Sequence, residues 1–350
     1  MSVSNQTTRV DWVDYSKGIC IILVVMMHSV LGYGEMVHAT GWMHPVVEFA
    51  RPFRMPDFFL IAGLFLSRSI MGDGQSYFDR KIVHFAYFYL LWLAIQTVAF
   101  EVSVLLHDPL AFMLIFVKAL VIPNGSLWFV HMLAVFYALT WAIRHVAKPM
   151  VFAIAALLQI AFAIGLIETG WSVTNRFAEW FVFFYAGYAF APIVFEFARR
   201  IASNARVALE ALLLWAVINY WLVSHDLAAL PVFGLALGFA GAAAIVTIGA
   251  LLARFKIGSA LRYAGRYSIV IYLTFFIPMK VVQKGLAKTE LISDVGTASF
   301  LVLAAGVLLP LIGHRLIKHT PLIALYERPK WAHLPSRRRS RAGSIALLEG

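Results

Sequence analysis

The sequence predicts an all-α, polytopic membrane protein with ten transmembrane helices and one further short interfacial or re-entrant helix near residues 109–122. Three observations carry that prediction. Of the 350 residues, 61% are hydrophobic and only 13% charged, about half the charge of an ordinary soluble domain. The apolar residues gather in runs of about 20, the length at which a helix crosses a hydrocarbon core of roughly 30 Å. Lys and Arg collect at the ends of those runs and favour alternate loops.

The predicted crossings lie near 15–33, 45–67, 81–104, 126–143, 149–167, 177–198, 207–224, 229–253, 264–283 and 295–316. A shorter run, Pro109 to Ile122, carries Lys118 and ends in the turn-like Pro123-Asn124-Gly125, so it is not counted as a crossing. Charge tests the count. With the N-terminus inside, the inner loops hold Arg68, Arg80 and Lys81, then Arg144 and Lys148, then Arg199, Arg200 and Arg206, then Arg254, Lys256 and Arg262. The opposite loops are poor in cations: Gly34 to His44 has no Lys or Arg, and Glu168 to Arg176 has one. Lys284 and Lys288 alone run against the pattern. Had the Pro109 run crossed, the bias would reverse after residue 125, so both termini are predicted to be cytoplasmic.

The formal charge of +11 suits topology better than nucleic acid, because no basic stripe interleaves with a soluble fold. Cys20 is the single cysteine, which excludes an intrachain disulfide and a thiolate zinc site. The first apolar run lacks a small-residue cleavage site near Gly32 to Gly34 and reads as a retained helix. Residues 1–326 form the predicted membrane domain. Residues 327–350, rich in Pro, Ser and Arg, read as a disordered basic cytoplasmic tail, drawn to anionic lipid or serving only to fix orientation. No repeat at a fixed period is visible.

Ionisable residues inside apolar runs are expensive and mark working sites. On the first helix, Lys17 and His28 are eleven positions apart, which is three turns plus about 20°, so both project from one face about 16 Å apart. Asp14 falls within about 40° of the same face. The second run carries Glu48, Arg51, Arg54 and Asp57 at spacings of three, so opposite charges neighbour one another. Pro56 is expected to kink or open the helix there. By depth, His28, Arg54 and Asp57 share one height and are expected to share a cavity. His84 and the Ser126-Leu127-Trp128-Phe129 stretch are weaker candidates. The structural alternatives are an interhelical hydrogen bond for His28, snorkelling for Lys17, a structural ion pair for Arg54 and an interfacial anchor for Trp128.

These residues resemble acyltransferase family 3, the integral-membrane acyltransferases that include O-acetylases and succinyl-transferring modifiers of bacterial glycans. Lys17 and His28 match the family's basic residue, ten residues, then His, with Lys where Arg is commoner. Pro56, Phe58, Phe59 and Gly63 match a Pro-x-Phe-Phe-x-x-x-Gly core. Leu127-Trp128-Phe129 is similar to the Leu-Trp-Phe element, and Tyr267-Ser268 with Tyr272-Leu273 to the late Tyr-Ser-x-x-x-Tyr-Leu segment. The likeness departs at the third helix, where Arg80 is followed by Lys81-Ile82-Val83 and not by a second Arg, and after Leu273, where Thr274-Phe275-Phe276 replaces a His. There is also no hydrolase-like domain of the kind fused to some relatives.

The resemblance implies transfer of an acyl group, acetyl or succinyl, from cytoplasmic acyl-CoA to a hydroxyl of an extracytoplasmic glycan or lipid at a bacterial plasma (inner) membrane. No metal is implied. His28 is then the expected general base or acyl carrier, since imidazole titrates near neutrality. Arg54, oriented by Asp57 or Glu48, is expected to stabilise the oxyanion, and Lys17 either to meet the donor arm or to hold Asp14 in place. Ser126, Trp128 and Tyr272 are expected to bind the acceptor, and Arg80, Lys81, Arg262 and Arg266 the CoA phosphates, unless these four cations are purely topogenic. The rival reading is a proton-coupled transporter or flippase using the same charges, and a third is a catalytically silent sensor or anchor. Transporters commonly carry internal repeats and paired broken helices, and the sequence shows neither.

Overall fold

A computed structural model describes residues 10–123 and 125–334, and all regular structure among them is helical. The helices are α1 (Asp11–Val37), α2 (His44–Ala50), α3 (Arg54–Gly63), α4 (Gly74–Phe100), α5 (Val102–His107), α6 (Pro109–Val121), α7 (Trp128–Ala142) and α8 (Lys148–Ala163). They continue as α9 (Ser172–Ala189), α10 (Ala191–Ser203), α11 (Ala205–Ser224), α12 (Pro231–Phe255), α13 (Ser259–Arg266), α14 (Ser268–Thr274), α15 (Phe276–Thr289) and α16 (Val295–Ile317).

Among the described residues, six helical stretches are long and apolar enough to cross a membrane: α1, α4, Pro109–Ala142, α11, α12 and α16. Counting each of two bent pairs as one span, α9 with α10 at 73° and α14 with α15 at 52°, gives up to eight. The ten predicted crossings are therefore not all reached by length and apolarity. The run predicted over 45–67 is interrupted between Ala50 and Arg54, and α8 has 16 residues. Pro109–Ala142 runs α6 and α7 together, with Asn124 of the predicted turn outside the described residues.

Proline explains the breaks. Pro52 and Pro278 lack the N–H that would bond to Glu48 and Thr274, and Pro192 opens α10. Pro56 does not kink its helix, contrary to the prediction. It sits in the first turn of α3, where its missing donor would be unpaired anyway.

The first helix is the hub of the bundle. It packs against α3, α12, α13 and α16, and its buried face includes Cys20, Ile21, Val24 and Val25. Its acidic start, Asp11 and Asp14, complements the helix dipole, and His38 closes it in the left-handed conformation with its N–H on Gly34 O. Glycine permits the closest crossings. A Cβ on Gly63 would collide with the carbonyl of Phe184, and one on Gly187 with that of Leu60, so α3 and α9 touch backbone to backbone.

The segment predicted as a tail begins in contact with the bundle. Arg328 is 9% exposed and paired with Asp79, so packing continues through Leu334. Residues 335–350, including the predicted basic cluster Arg337, Arg338, Arg339 and Arg341, lie outside the described residues.

Candidate active site

Two of the cavities along the polar face of α1 hold most of the predicted site residues, one around His28 and one around Lys17. The first, about 300 Å³, is lined by His28 and Val24 of α1, Arg54 and Met55 of α3, Ser126 and Trp128 at the start of α7, and Tyr272 of α14. Four elements distant in sequence thus bring together five of the residues predicted for catalysis and acceptor binding. His28 is half-buried, with its ring 5.4 Å from that of Phe275 and 5.9 Å from that of Phe276. Its backbone is fixed by Gln283 of α15, whose Nε2 donates to the carbonyls of His28 (3.0 Å) and Ser29 (3.3 Å).

Arg54 is 9% exposed, and its Nε and Nη1 have no hydrogen-bond partner among the described residues. Leaving a buried cation so poorly paired is costly for packing alone. The same donors are available to a negatively charged oxygen in the cavity. The Ser126 hydroxyl is likewise buried without a partner, while its carbonyl accepts a hydrogen bond from the Tyr272 hydroxyl.

Three residues of this cavity went unnoticed in the sequence: Arg176, Glu179 and Trp180 at the start of α9. The Arg176 guanidinium lies 4.8 Å from the Trp128 ring centre and donates to Pro123 O at 3.0 Å. Trp128 and Trp180 stand 6.4 Å apart, and Phe58 stacks on Phe129 at 4.6 Å. The signal was present, because Glu179 interrupts an apolar run and the rule applied to His28 applies to it equally.

Asp57 does not join His28 and Arg54 in this wall. Three positions along α3 turn it about 60° away from Arg54 and about 4.5 Å further along, and it is buried at 1% exposure with neither oxygen partnered among the described residues. Glu48 makes no direct ion pair with Arg54 among the described residues. It pairs with Arg51 three positions on at 3.2 Å, and the break between Ala50 and Arg54 sets this pair apart from Arg54 and Asp57.

The second cavity, about 840 Å³, is lined by Asp14 and Lys17 of α1, Arg68 beyond α3, and Arg80, Lys81 and His84 of α4. Arg328 and His333 complete it. Here Lys17, Asp14, Arg80 and Lys81 line one cavity. Arg262 and Arg266 line a different cavity, of about 540 Å³, with Asp11 and Asp14, and Arg262 pairs with Asp11 at 3.0 Å. The four cations predicted for one donor site are thus divided between two places, with Asp14 common to both.

The cavities of His28 and Lys17 share no lining residue. On α1 they are separated by the stretch from Lys17 to Val24, about 10 Å of helix, with Ile21 on the intervening face. No group of three or more His, Cys, Asp or Glu among the described residues is arranged to hold a metal ion.

Fold and cavities together define a polytopic helical membrane protein with an ionisable centre inside the bundle. The chain belongs to acyltransferase family 3, whose model, described as an acyltransferase domain, matches residues 10–314. Over 240 residues it is 23% identical to the inner membrane protein YcfT of Escherichia coli (strain K12), a stretch covering 62% of this chain and 66% of that relative, just short of two thirds of its length. No solved structure matches the chain.

Proposed function

We propose that this protein moves an acyl group, acetyl or succinyl, from acyl-CoA to a hydroxyl of a glycan or lipid across the membrane, with the basic end of the bundle in the cytoplasm and both termini on that side. The observation that carries the reading is the position of His28 and Arg54 on one cavity, with a second, basic cavity lying below it along the polar face of the same α1.

In this reaction the nucleotide of the donor rests among Lys17, Arg68, Arg80 and Lys81, and its thin arm passes along α1 toward His28. The imidazole takes the proton of the acceptor hydroxyl as the oxygen attacks the thioester carbonyl. Arg54 donates to the oxyanion that forms. The attack makes the new C–O bond; collapse of the tetrahedral intermediate restores the carbonyl and breaks C–S, and the imidazolium gives its proton to the departing thiolate, so the products are the ester and free CoA. Trp128, Trp180, Arg176, Glu179 and Ser126 hold the acceptor, with Tyr272 supporting Ser126. Because the two cavities are separate, the donor arm enters by displacing side chains on the Ile21 face of α1.

The test uses purified full-length protein in detergent and in liposomes with labelled acetyl-CoA. Thioester consumption, with the matching envelope ester lost on gene deletion, supports the reading. Uptake driven by an ion gradient without thioester consumption overturns it in favour of a carrier.

A further inference from the structure

Residues 324–334 leave α16 and fold back over the basic cavity, fastened along their length. The Tyr87 hydroxyl donates to Ala324 O at 3.0 Å and Trp92 Nε1 to Leu325 O at 2.9 Å. The Tyr326 hydroxyl lies 2.8 Å from Thr274 Oγ1. The last fastening is Asp79. Its backbone carbonyl accepts from Arg328 Nη1 at 2.8 Å, its Oδ2 from Arg328 Nη2 at 2.5 Å, and its Oδ1 from Leu334 N at 2.8 Å. His333 Nδ1 lies 2.7 Å from Arg328 Nη2 and 3.2 Å from Asp79 Oδ2.

Asp79 opens the π turn Asp79–Val83 of α4, a helical irregularity frequent at functional sites, and the same turn carries Arg80 and Lys81. One turn therefore supplies two cations of the cavity and the anchor for a third. Arg328 is buried yet lines the cavity, and its Nε has no partner among the described residues. With it, the cavity wall holds Lys17, Arg68, Arg80, Lys81 and Arg328 against two carboxylates, Asp14 in the wall and Asp79 behind Arg328. Such a concentration of one sign draws a polyanion.

We propose that this strap is a built part of the ligand site: Arg328 contacts the phosphates of the donor nucleotide, and Asp79 is the positioning residue that holds Arg328 and His333 in the wall. The inference rests on the acyl-CoA reading above and adds to it a binding residue from a segment that follows the last long helix.

The experiment compares acetyl-CoA with acetyl-pantetheine, which has the thioester arm and no nucleotide, on the purified full chain carrying Arg328→Gln or Asp79→Asn. Loss of a charge-assisted contact predicts that kcat/KM for acetyl-CoA falls about tenfold, through KM, while that for acetyl-pantetheine falls less than twofold. A parallel fall with both donors marks the strap as merely structural and overturns the inference. So does an unchanged preference for acetyl-CoA. His333→Ala, a change at a half-exposed side chain, keeps the test open should the Asp79 variant fail to fold, and it too is expected to lower the preference for acetyl-CoA. A wild-type protein that consumes neither thioester overturns the acyl-CoA reading itself and this inference with it.

Discussion

His28 and Arg54 belong to separate helices, α1 and α3, and face one cavity of about 300 Å³ from adjoining walls. Neither residue is suited to that depth as packing material. In the proposed reaction, a guanidinium with two nitrogens unpartnered among the described residues serves as the anion-stabilising donor, and a half-buried imidazole beside aromatic rings as the proton acceptor.

Replacing Arg54 with Met separates catalysis from stability. Removing one oxyanion donor predicts a fall in kcat of about 100-fold or more. Removing a buried charge that lacks full pairing predicts a thermal midpoint no lower than that of the wild type. Thioester turnover and a melting curve on the same preparation check both, and a large loss of stability would identify Arg54 as structural.

The stretch between the cavities is tested at Ile21, which is fully buried on the face shared by Lys17 and His28. Ile21→Trp is expected to block the donor arm, so that acetyl-CoA still binds and transfer is lost. Overpacking of this kind costs about 1–3 kcal/mol, so the folded fraction is measured alongside. Transfer at the wild-type rate would show that the arm takes another route.

The α3 to α9 contact carries Arg54 to its position. A Cβ at Gly187 would meet the Leu60 carbonyl, a group that cannot swing aside as a side chain can. Gly187→Ala is therefore expected to destabilise the bundle by about 1–3 kcal/mol and to lower the yield of folded protein, whereas Gly285→Ala, with open space around it, leaves the yield unchanged. Size-exclusion profiles of the two variants provide the comparison.

How far the sequence reached differs from one part of the site to the next. The helical stretches were legible because apolar length and charge are local properties, whereas their breaks at 51–53, 190 and 275 were not, and the eleven-residue spacing of Lys17 and His28 put both on one helix face without any tertiary knowledge. The depth argument brought His28 and Arg54 together but misplaced Asp57. Asp57 stands three positions after Arg54, about 60° round α3, and a comparison of heights leaves that rotation out. Glu179 was legible and overlooked. The Asp79 to Arg328 pair was not legible, because 249 positions separate its members and the composition of residues 327–350 pointed to a solvated tail. Arg262 and Arg266 show the converse limit. A basic residue near a helix end looks the same in sequence whether it lines the cavity with Lys17 or a neighbouring one.

The most direct measurement of the central claim is release of free CoA thiol from acetyl-CoA by purified His28→Ala protein, in the presence of acceptor-bearing membranes and beside the wild type. Wild-type release, with none above background from a variant that elutes and melts like its parent, is the predicted result. A variant that liberates thiol at the parental rate would contradict the role of His28.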